Sequence, residues 1–128
     1  HDLPNIHCLP YQPVDRLRES LNAADLHVVS MGKSYVGLVH PSKLYGILAT
    51  TTPLLLLGPE LCPIAGLIQR ENLGMVVSHE DSLSSVNAIK YFMTMNKDEY
   101  FGYVQRVAEV SKRYDKELLA RTLAREIL

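Results

Sequence analysis

The chain has 128 residues, 47% of them hydrophobic and 21% charged, which suits one globular domain able to bury a core. Thirteen basic residues against fourteen acidic ones leave a net charge of −1, so no overall basic surface exists to recruit nucleic acid. The two cysteines, Cys8 and Cys62, are too far apart for a zinc or redox pair and read as buried free thiols, while the longest apolar stretch, residues 47–57 with Thr50, Thr51 and Thr52 inside it, falls short of the roughly 20 residues of a membrane-spanning helix.

Residues 5–9 are apolar and bounded by prolines, which predicts a first buried strand leading into a loop at residues 10–13. Val14, Leu17, Leu21 and Ala24 recur at spacings of three and four, with Asp15, Arg16, Arg18 and Glu19 on the other side, so residues 14–24 predict an amphipathic helix. The valine-rich run 26–31 predicts a second strand, buried on both faces of a parallel sheet. Residues 32–40 read as a loop. Pro41 suits a first helical turn, and residues 42–49 predict a short helix ending at the threonine run.

A third strand is predicted at 53–57, a loop at 58–63, a helix at 64–70 and a fourth strand at 75–78 after the turn at 72–74. Strands alternating with helices at this spacing imply a parallel α/β sheet with helices on both faces, since parallel neighbours need crossover connections. Asp81 is a suitable cap for a helix carrying Leu83, Val86, Ile89, Lys90 and Met93. Beyond it the chain reads as wholly helical, with further helices at 97–114 and 116–128. The division is therefore an α/β part at 1–80 and terminal helices at 81–128.

In open parallel sheets ligands bind beyond the carboxyl ends of the strands, where loops meet helix amino termini. The loops to consider are residues 10–13, residues 32–43 and residues 58–63. The second brings Ser42, Lys43 and backbone amides to the start of a helix, an arrangement that attracts an anion such as a diphosphate; a capping serine beside a solvated lysine accounts for the same residues. Gly32, Lys33 and Ser34 do not form a Walker-type loop, because the upstream glycine is missing.

The run Ala24-Asp25-Leu26-His27-Val28-Val29, then Gly37-Leu38-Val39-His40-Pro41-Ser42-Lys43-Leu44-Tyr45-Gly46-Ile47-Leu48-Ala49, then Thr52-Pro53, resembles the donor half of GT-B glycosyltransferases, in particular bacterial family 4-type (group 1) enzymes. Leu9-Pro10-Tyr11-Gln12-Pro13 ahead of these segments belongs to the same pattern, and the resemblance runs from about residue 5 to residue 78. It implies a Rossmann-like, partial carboxy-terminal donor-binding domain over 1–128, with an amino-terminal acceptor domain absent, so that the chain is expected to be a fragment inactive on its own. The implied activity is transfer of a sugar from a nucleoside-diphosphate sugar to an acceptor hydroxyl, in bacterial polysaccharide or glycoconjugate synthesis.

The same resemblance places Pro10, Tyr11 and Gln12 beside the donor base, Ser42 and Lys43 near the diphosphate, and Gly46 facing the ribose. His40, directly before Pro41, is a candidate phosphate donor or a helix cap, and Glu60 a candidate sugar contact. Leu38 and Gly46 stand where many such enzymes have two glutamates, so either backbone and water take over their contacts or the donor binds differently. No metal or cofactor is implied, because Lys43 and helix amides can stabilise the leaving diphosphate. The acceptor, a glycan or lipid-linked sugar, would sit on the missing domain.

His7, His27 and His40 have no metal-ligand spacing, Glu60, Glu71, Glu80 and Asp81 form no evident acid/base pair, and Tyr91, Phe92, Tyr100, Phe101 and Tyr103 read as packing between helices. Residues 1–9 lack the basic start and apolar core of a secretory leader, which points to the cytoplasm, with peripheral association at the inner face of the membrane for the whole enzyme. Two other classes remain in play: a noncatalytic nucleotide-binding or interaction module, and a nucleotide-sugar epimerase of the same architecture.

Overall fold

The computed structural model of the chain describes residues 3–37 and 43–114. Within them three parallel strands, β1 (His27–Ser30), β2 (Leu54–Leu57) and β3 (Gly74–Val77), lie side by side in the order β1-β2-β3. His27 is level with Leu54 and Leu54 with Gly74, a register kept to Ser30, Leu57 and Val77. Five helices accompany them: α1 (Leu17–Asn22), entered through a 3-10 turn at Val14–Arg16, α2 (Lys43–Ala49), α3 (Pro63–Glu71), α4 (Ser82–Thr94) and α5 (Lys97–Arg113). The α/β class with a parallel, Rossmann-like sheet flanked by helices thus holds.

Local chemistry sets the element ends. At α3, the Cys62 sulfur accepts the Ala65 amide at 3.4 Å, Pro63 takes the first helical position, and Asn72 closes the helix at φ 54°, its amide returning to the carbonyls of Gln69 and Ile68. Asp81 caps α4 by accepting the amide and hydroxyl of Ser84 at 2.8 and 2.6 Å. Asn96 caps α5 through the Glu99 amide, and this helix carries Asp98 and Glu99 in its first turn and Lys112 and Arg113 in its last, as the helix dipole favours. Gly74 answers to a closer constraint. A Cβ there would lie 1.7 Å from the Leu54 carbonyl oxygen, so β3 can begin beside β2 only with glycine.

Leu54, Leu55 and Leu56 are fully buried because β2 is flanked on both edges and covered on both faces. Leu54 and Leu56 join Val29 and Met31 in the larger core, against Leu44 and Leu48 of α2, Ile64 and Ile68 of α3, and Val107 and Val110 of α5. Leu55 and Val77 face the other way, into a small cluster under Ala88 of α4.

The predicted strand at 5–9 is absent. Residues 6–13 are neither helix nor strand, with Ile6 58% and Leu9 78% exposed, and Cys8 is consequently exposed rather than buried, whereas Cys62 is buried. Apolar residues alone do not make a strand. Here no sheet edge pairs with the segment, and Pro4 and Pro10 remove two backbone donors at its ends. The helix predicted at 14–24 is shorter, a 3-10 turn followed by six residues of α1, with none of them buried. The helix predicted at 116–128 lies outside the described residues.

Candidate functional site

The strands end together at Ser30, Leu57 and Val77, and the connections that leave them form one rim. After β1 comes Gly32 in an extended conformation and a 3-10 turn at Lys33–Tyr35; after β2 come Gly58 and the loop bearing Glu60; after β3 comes Ser78 to Asp81. Gly58 belongs to the sheet ladder, its amide donating to Val77 at 2.8 Å, and a Cβ there would stand 3.0 Å from the Met31 carbonyl oxygen. Backbone therefore packs tightly where the first two connections leave the sheet.

Across this rim Lys33 Nζ meets Glu80 Oε1 at 2.6 Å. Lys33 holds the Glu80 carboxyl below the usual carboxylate range. The Glu80 amide donates to Ser78 Oγ at 3.4 Å and the Asp81 amide to the Ser78 carbonyl at 3.1 Å, so a compact turn delivers Glu80 just before the capped start of α4. Neither Lys33 nor the pairing of Glu80 was legible as a contact in the sequence, because the two lie 47 positions apart and meet only through sheet order.

Lys43 opens α2 and is exposed, at the amino end of the helix that follows the β1 connection. Ser42, His40 and Leu38 lie outside the described residues. Gly46 is half-buried in α2, and a Cβ there would stand 3.5 Å from Cδ1 of Leu21, so this position is directed at α1. Glu60 is exposed on the connection after β2. Pro10, Tyr11 and Gln12 sit on an exposed segment without helix or strand, where Gln12 Nε2 donates to the Pro10 carbonyl at 3.0 Å. The structure thus draws Lys33, Glu60 and Glu80 to the strand ends.

His27 has a different environment. Its Nε2 lies 3.3 Å from Thr50 Oγ1 and its ring also bonds to the backbone of Leu21; burial pushes its pKa below the ordinary value of 6.5, against the opposing effect of the Leu21 bond. It ties β1 to α1 and to the turn after α2. In that turn Thr51 adopts φ 58°, a left-handed conformation that suits glycine.

The aromatic residues of α4 and α5 pack against one another: Phe92 lies 5.4 Å from the Tyr103 ring and 5.6 Å from Tyr91, Arg106 stacks 4.5 Å over Tyr103, and the Tyr91 hydroxyl donates to the Glu99 carboxylate, which raises the tyrosine's pKa. Tyr100 reaches β1's approach by donating to the Asp25 carbonyl at 3.1 Å. Beside β1 these helices leave an apolar groove of about 800 Å³ whose walls include Leu26, Val28, Ile89 and Phe101.

Among the described residues no group of three His, Cys, Asp or Glu side chains could hold a metal ion, and no helix is long and apolar enough to cross a membrane. In comparisons with family models, with curated proteins and with solved structures, no match to this chain was found.

Proposed function

We propose that this chain supplies donor-binding structure to a GT-B-type glycosyltransferase, holding a nucleoside-diphosphate sugar at the carboxyl ends of its strands while the sugar passes to an acceptor hydroxyl. The observation that supports this reading most is that the resembling run at 24–29 leads into β1, the run at 37–49 carries α2, opened by Lys43, and Thr52-Pro53 leads into β2, the parallel neighbour of β1. Parallel sheets place ligands at that rim. On this reading a cation at the rim neutralises the diphosphate as it leaves, which lowers the barrier to transfer without requiring a metal.

The acceptor, a glycan or lipid-linked sugar, and its catalytic base belong to a partner domain, and the enzyme works at the cytoplasmic face of a membrane in polysaccharide or glycoconjugate synthesis. Calorimetric titration of the natural protein with UDP, GDP and ADP tests the binding. Lys43→Ala is expected to weaken the favoured nucleotide by about 1–3 kcal/mol, the range for a lost charged hydrogen bond. Unchanged affinity removes Lys43 from the site. Product analysis with candidate donors separates the classes: a new glycoside supports transfer, an altered donor sugar means epimerisation, and neither product alongside nucleotide binding means a noncatalytic module.

A further inference from the structure

We infer that Lys33 is a second cation for the donor's diphosphate, and that Glu80 is an internal anion that occupies Lys33 until the ligand displaces it. The inference rests on the donor-binding reading above and extends it to residues outside the resembling motifs.

Topology carries the argument. Lys33 lies three positions beyond Ser30, the last residue of β1, and Glu80 three beyond Val77, the last residue of β3. Those strands are separated by β2, so their ends are about 10 Å apart, twice the spacing of neighbouring strands. The 2.6 Å contact between the side chains therefore spans the rim above the end of β2, where Gly58 contributes no side chain. The remaining ion pairs among the described residues lie elsewhere: Glu71 with Arg70 and Arg113 where α3 and α5 end, and Glu109 with Lys112 along α5. Lys33 and Glu80 alone among them join two connections at the carboxyl ends of the strands.

The pair is also easily exchanged. Its side chains are 63% and 76% exposed, and an ion pair so open to water is weak, because solvent screens the attraction and two long side chains must be held in place. A diphosphate carries more charge than one carboxylate and offers several oxygens to the same ammonium group. It can replace Glu80 at little cost, and the freed carboxylate returns to water. Glu80 stays near the exchange in either state, since Ser78 and the capped start of α4 fix its backbone.

The test is a calorimetric double-mutant cycle on the natural protein, with inorganic diphosphate and with UDP, GDP and ADP as probes. Glu80→Gln should tighten diphosphate binding by up to about fivefold, the most that an exposed pair withholds. Lys33→Met should weaken it about tenfold, Lys33→Arg should stay within about twofold of wild type, and Glu80→Gln should have no effect once Lys33 is methionine. Thermal unfolding of the same variants reads the structural role separately. If wild type binds a nucleoside diphosphate but Glu80→Gln shifts only the melting temperature, the pair is a loop tie and this inference is overturned while the donor reading stands. If no probe binds to wild type or to Glu80→Gln, both are overturned.

Discussion

Val28 and Val29 are consecutive residues of β1, yet Val29 is 6% exposed and Val28 52%. They point to opposite faces of the sheet, and the faces are covered unequally. Three helices, α2, α3 and α5, close over the face that contains Val29, Leu54 and Leu56, whereas on the other face Ala88 of α4 covers Leu55 and Val77 and the first turns of α5 meet α4 beside Val28 across an open apolar groove. The two sides therefore differ in what a residue of the same type contributes. On the first, an aliphatic side chain is part of a close-packed core; on the second, near β1, it is half in water.

Gly74→Ala tests the sheet that both faces share, and its effect should be the largest. The added methyl would collide with the Leu54 backbone, which cannot move without parting β2 from β3, so a loss above about 4 kcal/mol is expected, read as a collapsed denaturation midpoint. A variant of near wild-type stability would mean that the strands do not approach as described. Leu56→Ala and Val28→Ala then compare the faces directly. Leu56, fully buried, should cost about 2–5 kcal/mol, and Val28 under about 1 kcal/mol, by urea unfolding. Equal losses would show that something covers the groove in solution.

Thr51→Gly addresses the turn that leads from the well-covered helix α2 into β2. Because Thr51 stands at φ 58°, glycine should relieve backbone strain and raise stability by about 0.5–1 kcal/mol, partly offset by the greater freedom of glycine in the unfolded chain. A loss of stability would locate an unrecognised role in the threonine side chain. The smallest effect concerns His27, which joins α1 to the same side of the sheet. Burial lowers its pKa in the folded state, so the folded protein resists a proton that the unfolded chain accepts. Stability should be unaffected by this group above about pH 6.5 and should fall as pH drops through that value. His27→Gln should flatten this decline. The carboxylates held low by their partners, such as Glu71 beside Arg113, lose their contribution only in more acidic solution, so the two windows can be separated.

How much of the site was legible follows the same division between local and distant causes. Lys43 at the start of a helix and Glu60 on a strand-end connection follow from their neighbours in the chain, and both lie where that reading puts them. Gly46 does not follow in this way. The resemblance implies that it faces the ribose, whereas in the fold a side chain there would meet Leu21 of α1, a neighbour that only the packing of α1 supplies. The contact between Lys33 and Glu80 was equally hidden, because it requires β1 and β3 to flank β2.

By itself the sequence determined the elements whose signals are local: the leucine run of β2, the helix at 64–70 before the turn at 72–74, the cap at Asp81, the helix beginning at Lys97, and the alternation that makes the sheet parallel. Only the tertiary structure decided that residues 5–9 form no strand, that Val28 stays half exposed while Val29 is buried, and that Gly46 faces a helix. The physical reason is that periodicity and capping act over a few residues, whereas a strand needs a partner edge and a buried side chain needs a covering element, and those are supplied from distant parts of the chain.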